Sequence, residues 1–138
     1  MKHQKKNPSF TELRDLQLRG PYPLNAEQID AVIRVNSCGN YAIGELEDRT
    51  HLFIPELVGR SDDDLANQIK RHIGQRTNWT HFMADYAPSP KAAYEKECKN
   101  YHHFKDQLWN MVHPSRPPNV DWICPDCPPL EEPQRSSA

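Results

Sequence analysis

Residues 39–72 read GNYAIGELEDRTHLFIPELVGRSDDDLANQIKRH, and this stretch decides the fold. Side chains alternate loosely in polarity from Tyr41 to Leu46, which predicts a strand. After a polar turn, Glu56 to Arg60 predicts a second strand, antiparallel to the first. Ser61 and the aspartates after it predict a helix that ends near His72, because such residues stabilise a helix N-terminus. Two strands that lead into a helix whose side chains point back over the sheet predict a small cleft.

The flanking segments complete a small α+β domain. Residues 10–18 have capping-box spacing and predict a short helix, and Asn25 is placed to cap a further helical turn. Residues 79–86 predict a third strand. Ser89 and Pro90 then start a helix that runs to about residue 104, because serine caps helices and proline suits the first helical position. We therefore expect an α/β (α+β) fold with helices flanking a three-stranded antiparallel sheet, in which Pro55 marks a bulge or an edge.

Changes in composition divide the chain into four parts. Residues 1–36 form an N-terminal extension with the short helix, and residues 37–112 form the main domain. Residues 113–129 form a proline-rich tail that carries Cys124-Pro125-Asp126-Cys127, and residues 130–138 are expected to be disordered.

Length and charge restrict the class of protein. A chain of 138 residues suits one domain with a single core, and no apolar run reaches the roughly 18 residues of a membrane span. The basic N-terminus is not followed by an apolar segment, so we expect a cytoplasmic protein that has no membrane partner.

The formal net charge is −2, so any contact with nucleic acid has to come from a local patch. The four cysteines favour metal ligands or free thiols over disulfides in a reducing compartment.

The order of several short motifs resembles that of the GIY-YIG endonuclease superfamily. A strand with Gly39-Asn40-Tyr41 is followed by a strand with Leu57-Val58-Gly59 and by a helix in which Gln68 and His72 are four residues apart. Ala93 and Glu97 follow on a later helix, and Asn110 comes shortly after it. The similarity covers roughly residues 39–110, and it implies a nuclease fold of this superfamily.

The resemblance also implies a set of catalytic residues. Glu97 matches the glutamate that holds one divalent ion, Mg²⁺ or Mn²⁺, which polarises the scissile phosphate and stabilises the leaving oxygen. Tyr41 matches a tyrosine that helps to activate the attacking water, and His72 matches a histidine near the phosphate. Asn110 matches an asparagine beyond the glutamate helix.

Two positions depart from the family pattern. Leu57 replaces the second motif tyrosine, and Gln68 replaces the arginine that faces the phosphate. A neutral glutamine cannot replace a guanidinium as a bidentate phosphate ligand. Arg60 is the expected substitute because it follows Gly59 directly, whereas Arg71 is expected to point to another side of its helix.

A second group of residues points to structural zinc. Cys124 and Cys127 have the spacing of a zinc knuckle, and Cys98 and His102 lie one helical turn apart. These four residues predict a closed site that fastens the tail to the helix of Glu97, with His103 or His113 as alternatives to His102.

Three functions remain open from the sequence. The first is a metal-dependent endonuclease that acts on nucleic acid, DNA more readily than RNA, with activity weakened by the two replacements. The second is an inactive, zinc-stabilised nucleic-acid-binding module of the same fold. The third is a structural zinc protein unrelated to nucleases. The oligomeric state is not predicted.

Overall fold

A four-stranded antiparallel sheet lies at the centre of the computed structural model, which describes residues 13–109 and 113–127. The strands lie in the order β1-β4-β2-β3, and each neighbouring pair is antiparallel. The elements along the chain are β1 (Arg19–Pro23), α1 (Ala26–Val32), β2 (Gly39–Leu46), β3 (Phe53–Ser61), α2 (Leu65–Lys70), β4 (His81–Tyr86) and α3 (Pro90–Phe104).

The sheet has one strand more than the three predicted from the sequence. Strand β1 occupies an edge and, among the described strands, pairs only with β4, with Tyr22 opposite Phe82. This strand contains two prolines, and an edge strand tolerates proline because one side of its backbone needs no partner. The rings of Tyr22 and Phe82 pack with centroids 5.5 Å apart. Contacts with a distant strand therefore determine this element.

Strands β2 and β3 form the expected hairpin, and β3 carries the expected bulge. Ile43 pairs with Leu57 whereas Gly44 pairs with Pro55, so Glu56 is the extra residue between two regular stretches of ladder. The bulge at Pro55 is thus confirmed.

Each face of the sheet is covered by different elements. Tyr41, Ile43 and Leu57 belong to one buried cluster, which also contains residues of α1 and α2. Ala42 and Val58 belong to the cluster on the other face, which includes Phe104 at the end of α3. The alternation of strand side chains between two faces explains the division.

Helix boundaries agree with the capping prediction at two sites and differ at one. Asn25 caps α1 and Ser89 caps α3, each by accepting a hydrogen bond from a backbone N–H. Helix α2 is capped by Asp64 rather than Ser61, because Ser61 still belongs to β3. At its other end α2 stops at Lys70, so His72 lies in the turn that follows and not in the helix as predicted.

Some predictions fall on residues 1–12, 110–112 and 128–138, outside the described parts of the chain. These predictions are the start of the helix over residues 10–18, the role of Asn110 and the disorder of residues 130–138. Leu13 and Leu16, near the start of the described chain, are buried. Within the described segments, no helix combines the length and the apolarity needed to cross a membrane.

Candidate active site and metal-binding cluster

A cleft with a cavity volume of about 520 Å³ opens beside β3, at the edge of the sheet. Tyr41, Arg60, Gln68 and Glu97, all predicted site residues, contribute to its wall. His72 contacts Tyr41 directly. Five of the six predicted catalytic residues are therefore placed at or next to this cleft, and the sixth, at position 110, is not described.

Gly59 allows Tyr41 to reach the cleft. The two residues pair across β2 and β3, so their side-chain positions lie on the same face. A Cβ atom at Gly59 would lie 2.5 Å from both Cζ and the hydroxyl oxygen of Tyr41. The tyrosine ring therefore crosses β3 in the space left by the missing side chain.

Gly59→Ala is expected to destabilise the protein by about 1–3 kcal/mol, because the added methyl group overlaps the tyrosine ring. Urea unfolding would measure the loss. The double variant Tyr41→Ala/Gly59→Ala should lose less than the sum of the two single variants, because without the ring the methyl group has space. A Gly59→Ala protein as stable as wild type would contradict the close packing of the Tyr41 ring on Gly59.

Tyr41, His72 and two glutamines form a hydrogen-bond network. The hydroxyl oxygen of Tyr41 is 2.9 Å from Nε2 of His72, and Nδ1 of His72 is 2.9 Å from Oε1 of Gln75. Because an amide oxygen only accepts, Nδ1 carries the proton, and in the neutral ring Nε2 accepts from the tyrosine hydroxyl. Burial raises the pKa of Tyr41 to about 12, although a hydrogen bond from Gln68 opposes this. Tyr41 is therefore a neutral hydroxyl at physiological pH, held against a possible proton acceptor.

Glu97 and Arg60 form a nearly buried ion pair beside this network. Nη1 of Arg60 is 2.6 Å from Oε1 of Glu97, and Nε of Arg60 is 2.9 Å from Oδ1 of Asp62. Burial raises the pKa of Glu97, and the guanidinium of Arg60 opposes that rise. The guanidinium also lies over the ring of Tyr94, with Cζ 5.3 Å from the ring centroid. The charge of Arg60 is thus shared by two carboxylates.

Arg71 lines the cleft, contrary to the prediction that it points elsewhere. It is the C-cap residue of α2, and the helix ends before it, so helical spacing does not determine its direction. It is exposed, and no described residue forms a hydrogen bond or an ion pair with its side chain. Of the two arginines weighed from the sequence, Arg71 is therefore the one whose charge remains available to a ligand.

Two histidines and two cysteines converge between the end of α3 and the tail. The ligand atoms of His102, His113, Cys124 and Cys127 all lie within 4.8 Å of one another. Sγ of Cys127 is 3.4 Å from Nε2 of His102 and 3.3 Å from Nε2 of His113. Nδ1 of His113 lies 2.8 Å from the carbonyl oxygen of Pro114, a contact that leaves Nε2 to bind a metal. The cluster could bind a metal ion.

The composition of this cluster differs from the predicted ligand set by one residue. His113 takes the place of Cys98, although it was considered only as a substitute for His102. Cys98 is fully buried, and its thiol contacts Cys124. Burial raises the pKa of the Cys98 thiol, and the contact with Cys124 raises it further. Cys98 therefore packs beneath the cluster, one turn of α3 before His102.

The segment that carries the cluster also contributes to the cleft. Ser115 lies two residues after His113 and lines the cleft. The ring of Trp122 packs on Tyr94 with centroids 6.0 Å apart, and Tyr94 is the ring that supports Arg60. A metal ion that holds the tail in place would therefore also hold one wall of the cleft. The sequence contained no signal for the position of Ser115, because it depends on the return of the tail over α3.

Comparisons of this chain with protein families, with characterised proteins and with solved structures give no match. Function has therefore to be inferred from the cleft and from the metal-binding cluster.

Proposed function

We propose that this protein is a GIY-YIG-like, metal-dependent endonuclease that hydrolyses phosphodiester bonds in nucleic acid, DNA more readily than RNA. The observation that carries the proposal is the hydrogen-bonded pair of Tyr41 and His72, which meets the carboxylate of Glu97 in one cleft. A proton acceptor, a reactive hydroxyl and a carboxylate at one open site suit the activation of water beside a phosphate.

The proton path runs through Tyr41 and His72. Because burial raises the pKa of Tyr41 to about 12, this hydroxyl can accept a proton from water only while it passes its own proton on. Nε2 of His72 is the acceptor within reach. Gln68 then stabilises the tyrosine oxygen by hydrogen bonding, a different role from the phosphate contact of the arginine that it replaces.

The carboxylates in the cleft fit a hard divalent ion. Mg²⁺ is commonly bound through one or two carboxylates together with water, and Glu97 and Asp62 both line the cleft. Both carboxylates contact one cation, the guanidinium of Arg60, which supports this proposal. When bound, Mg²⁺ or Mn²⁺ would supply the charge that polarises the phosphate. Arg71 is the side chain best placed to bind a phosphate oxygen.

We further propose that the cluster of His102, His113, Cys124 and Cys127 binds Zn²⁺ in a structural role. Tetrahedral zinc with bonds of about 2.3 Å to sulfur and about 2.0–2.1 Å to nitrogen separates these atoms by about 3.6 Å. The sulfur–nitrogen distances of 3.3 and 3.4 Å are close to this value. Four protein ligands leave no open position, which is typical of structural sites. Thiolate ligands also fit a cytoplasmic location, where thiols stay reduced.

Conversion of supercoiled plasmid to nicked or linear DNA would test the nuclease proposal. Wild type is expected to cut in Mg²⁺ or Mn²⁺ and not without either ion. Glu97→Gln should lower the rate at least about 10²-fold, because a neutral amide is a poor ligand for a hard cation. Glu95→Gln, the same change two residues earlier on α3, is the matched control and should cut normally. Equal cutting by wild type and Glu97→Gln would overturn the assigned ion site.

The second candidate is a nucleic-acid-binding module that no longer cuts. The ion pair between Arg60 and Glu97 favours this candidate, because a divalent ion has to compete with the guanidinium for the carboxylate. Leu57 also favours it, since its side chain is buried in the core and offers no hydroxyl. The variant Gln68→Arg separates the two candidates. Cutting by this variant but not by wild type would support the second candidate, a domain that kept the nuclease fold and lost the activity.

A further inference from the structure

Trp109 is fixed in place although more than half of it is exposed. Its exposed fraction is 55%, yet its backbone N–H donates a hydrogen bond to the carbonyl oxygen of Glu56. Its ring also packs edge-on against Trp79, with centroids 5.8 Å apart and an interplanar angle of 88°. The protein thus holds a large aromatic surface towards solvent.

A buried carboxylate orders both tryptophans. Glu56, the bulge residue of β3, is only 6% exposed. Its Oε1 accepts from the indole N–H of Trp79 at 3.0 Å, and its Oε2 accepts from Nδ2 of Asn78 at 2.9 Å. Burial of a carboxylate is costly unless hydrogen bonds compensate for the lost water. Glu56 therefore acts through both its side chain and its backbone to position the pair.

A cation accompanies the two rings. Cζ of Arg76 lies 5.4 Å from the ring centroid of Trp109 and 5.8 Å from that of Trp79. Arg76 is exposed, as is Trp109. An exposed aromatic face next to a cation suits single-stranded nucleic acid, whose bases stack on rings while its phosphates attract positive charge.

A chain of ring contacts connects Trp109 to the cleft. The ring centroids of Trp79 and His72 are 6.0 Å apart, and those of His72 and Tyr41 are 5.5 Å apart. Trp109 therefore lies a few ring diameters from the hydroxyl of Tyr41. A few nucleotides would therefore span the distance from a phosphate in the cleft to the ring of Trp109.

We propose that Trp109 and Arg76 form a stacking platform for an unpaired base of the strand whose phosphate occupies the cleft. The substrate is then a nucleic acid that is single-stranded near the cut, or that opens there. This inference rests on the proposed function, because it names the substrate class of the same site.

Fluorescence anisotropy with labelled single-stranded DNA of about 12 nucleotides would test the platform, without added Mg²⁺ or Mn²⁺ so that the strand stays intact. Trp109→Ala is expected to weaken binding about 5- to 100-fold, and Trp109→Phe should retain most of the affinity. Val35→Ala, which changes a residue 59% exposed and outside the platform, is the matched control. Circular dichroism would establish that each variant is folded.

An abasic strand of the same length isolates stacking from charge. Because it presents phosphates without bases, wild type and Trp109→Ala should bind it equally. Equal binding of these two proteins to the strand that carries bases would overturn the platform and leave the proposed function standing. Failure of wild type to bind any DNA would overturn both, so the two failures are distinguishable.

Discussion

Cys127→Ser protein is expected to lose nearly all of its zinc, whereas Cys98→Ser protein should keep it. Cys127 lies between both histidines of the cluster, while Cys98 lies outside the group of four. A serine hydroxyl is a poor zinc ligand, and structural zinc contributes about 10–16 kcal/mol of apparent binding free energy in small domains. The loss should therefore release the tail. Metal analysis of the purified proteins by mass spectrometry would measure the zinc content.

The histidines provide a second, matched comparison. His113→Ala should lose zinc, and His103→Ala should not, because His103 is exposed and lies outside the cluster. Zinc loss should also lower activity at the cleft, since the position of Ser115 depends on the tail. Full zinc in Cys127→Ser would refute both ligand sets, because Cys127 belongs to each. Zinc loss in Cys98→Ser with His113→Ala unaffected would instead restore the ligand set predicted from the sequence.

Arg60→Met is expected to destabilise the protein by about 3–5 kcal/mol at neutral pH, because it leaves a buried carboxylate without its cation. The side chains of Arg60 and Glu97 are each only 11% exposed, and the bond between them is 2.6 Å long. Denaturant unfolding would measure the change. Arg71→Met is the matched control: this arginine is exposed, and its removal should change stability by no more than about 0.5 kcal/mol.

The loss in Arg60→Met should depend on pH in a defined direction. Burial raises the pKa of Glu97 above its ordinary value of 4.5, and the variant removes the cation that opposes this rise. An acid with a higher pKa in the folded state favours folding when protonated and opposes it when ionised. The difference from wild type should thus be small below pH 4.5 and grow as pH rises through the folded pKa. Adding Glu97→Gln to the variant should remove this dependence, and an unchanged pH profile would refute the assignment.

Local patterns in the sequence determined several elements. Asn25 and Ser89 cap helices where the sequence placed them, and Pro55 lies at the bulge. These features could be predicted because each depends on residues within a few positions along the chain, through capping hydrogen bonds and the geometry of proline. The convergence of Cys124 and Cys127 followed from their spacing in the same way.

Only the tertiary structure decided the parts that concern function. Strand β1 forms through pairing with β4, about sixty residues later, so local patterns did not predict it. The ion pair of Arg60 and Glu97 joins residues 37 positions apart, and its existence depends on how α3 packs on the sheet. The choice of His113 over Cys98 depends on the path of the tail, and the direction of Arg71 depends on where α2 ends. The sequence by itself thus determined which side chains were available, whereas long-range packing decided which of them meet. The physical reason is range: capping and periodicity act over one or two turns, whereas a site is assembled from residues across the whole core.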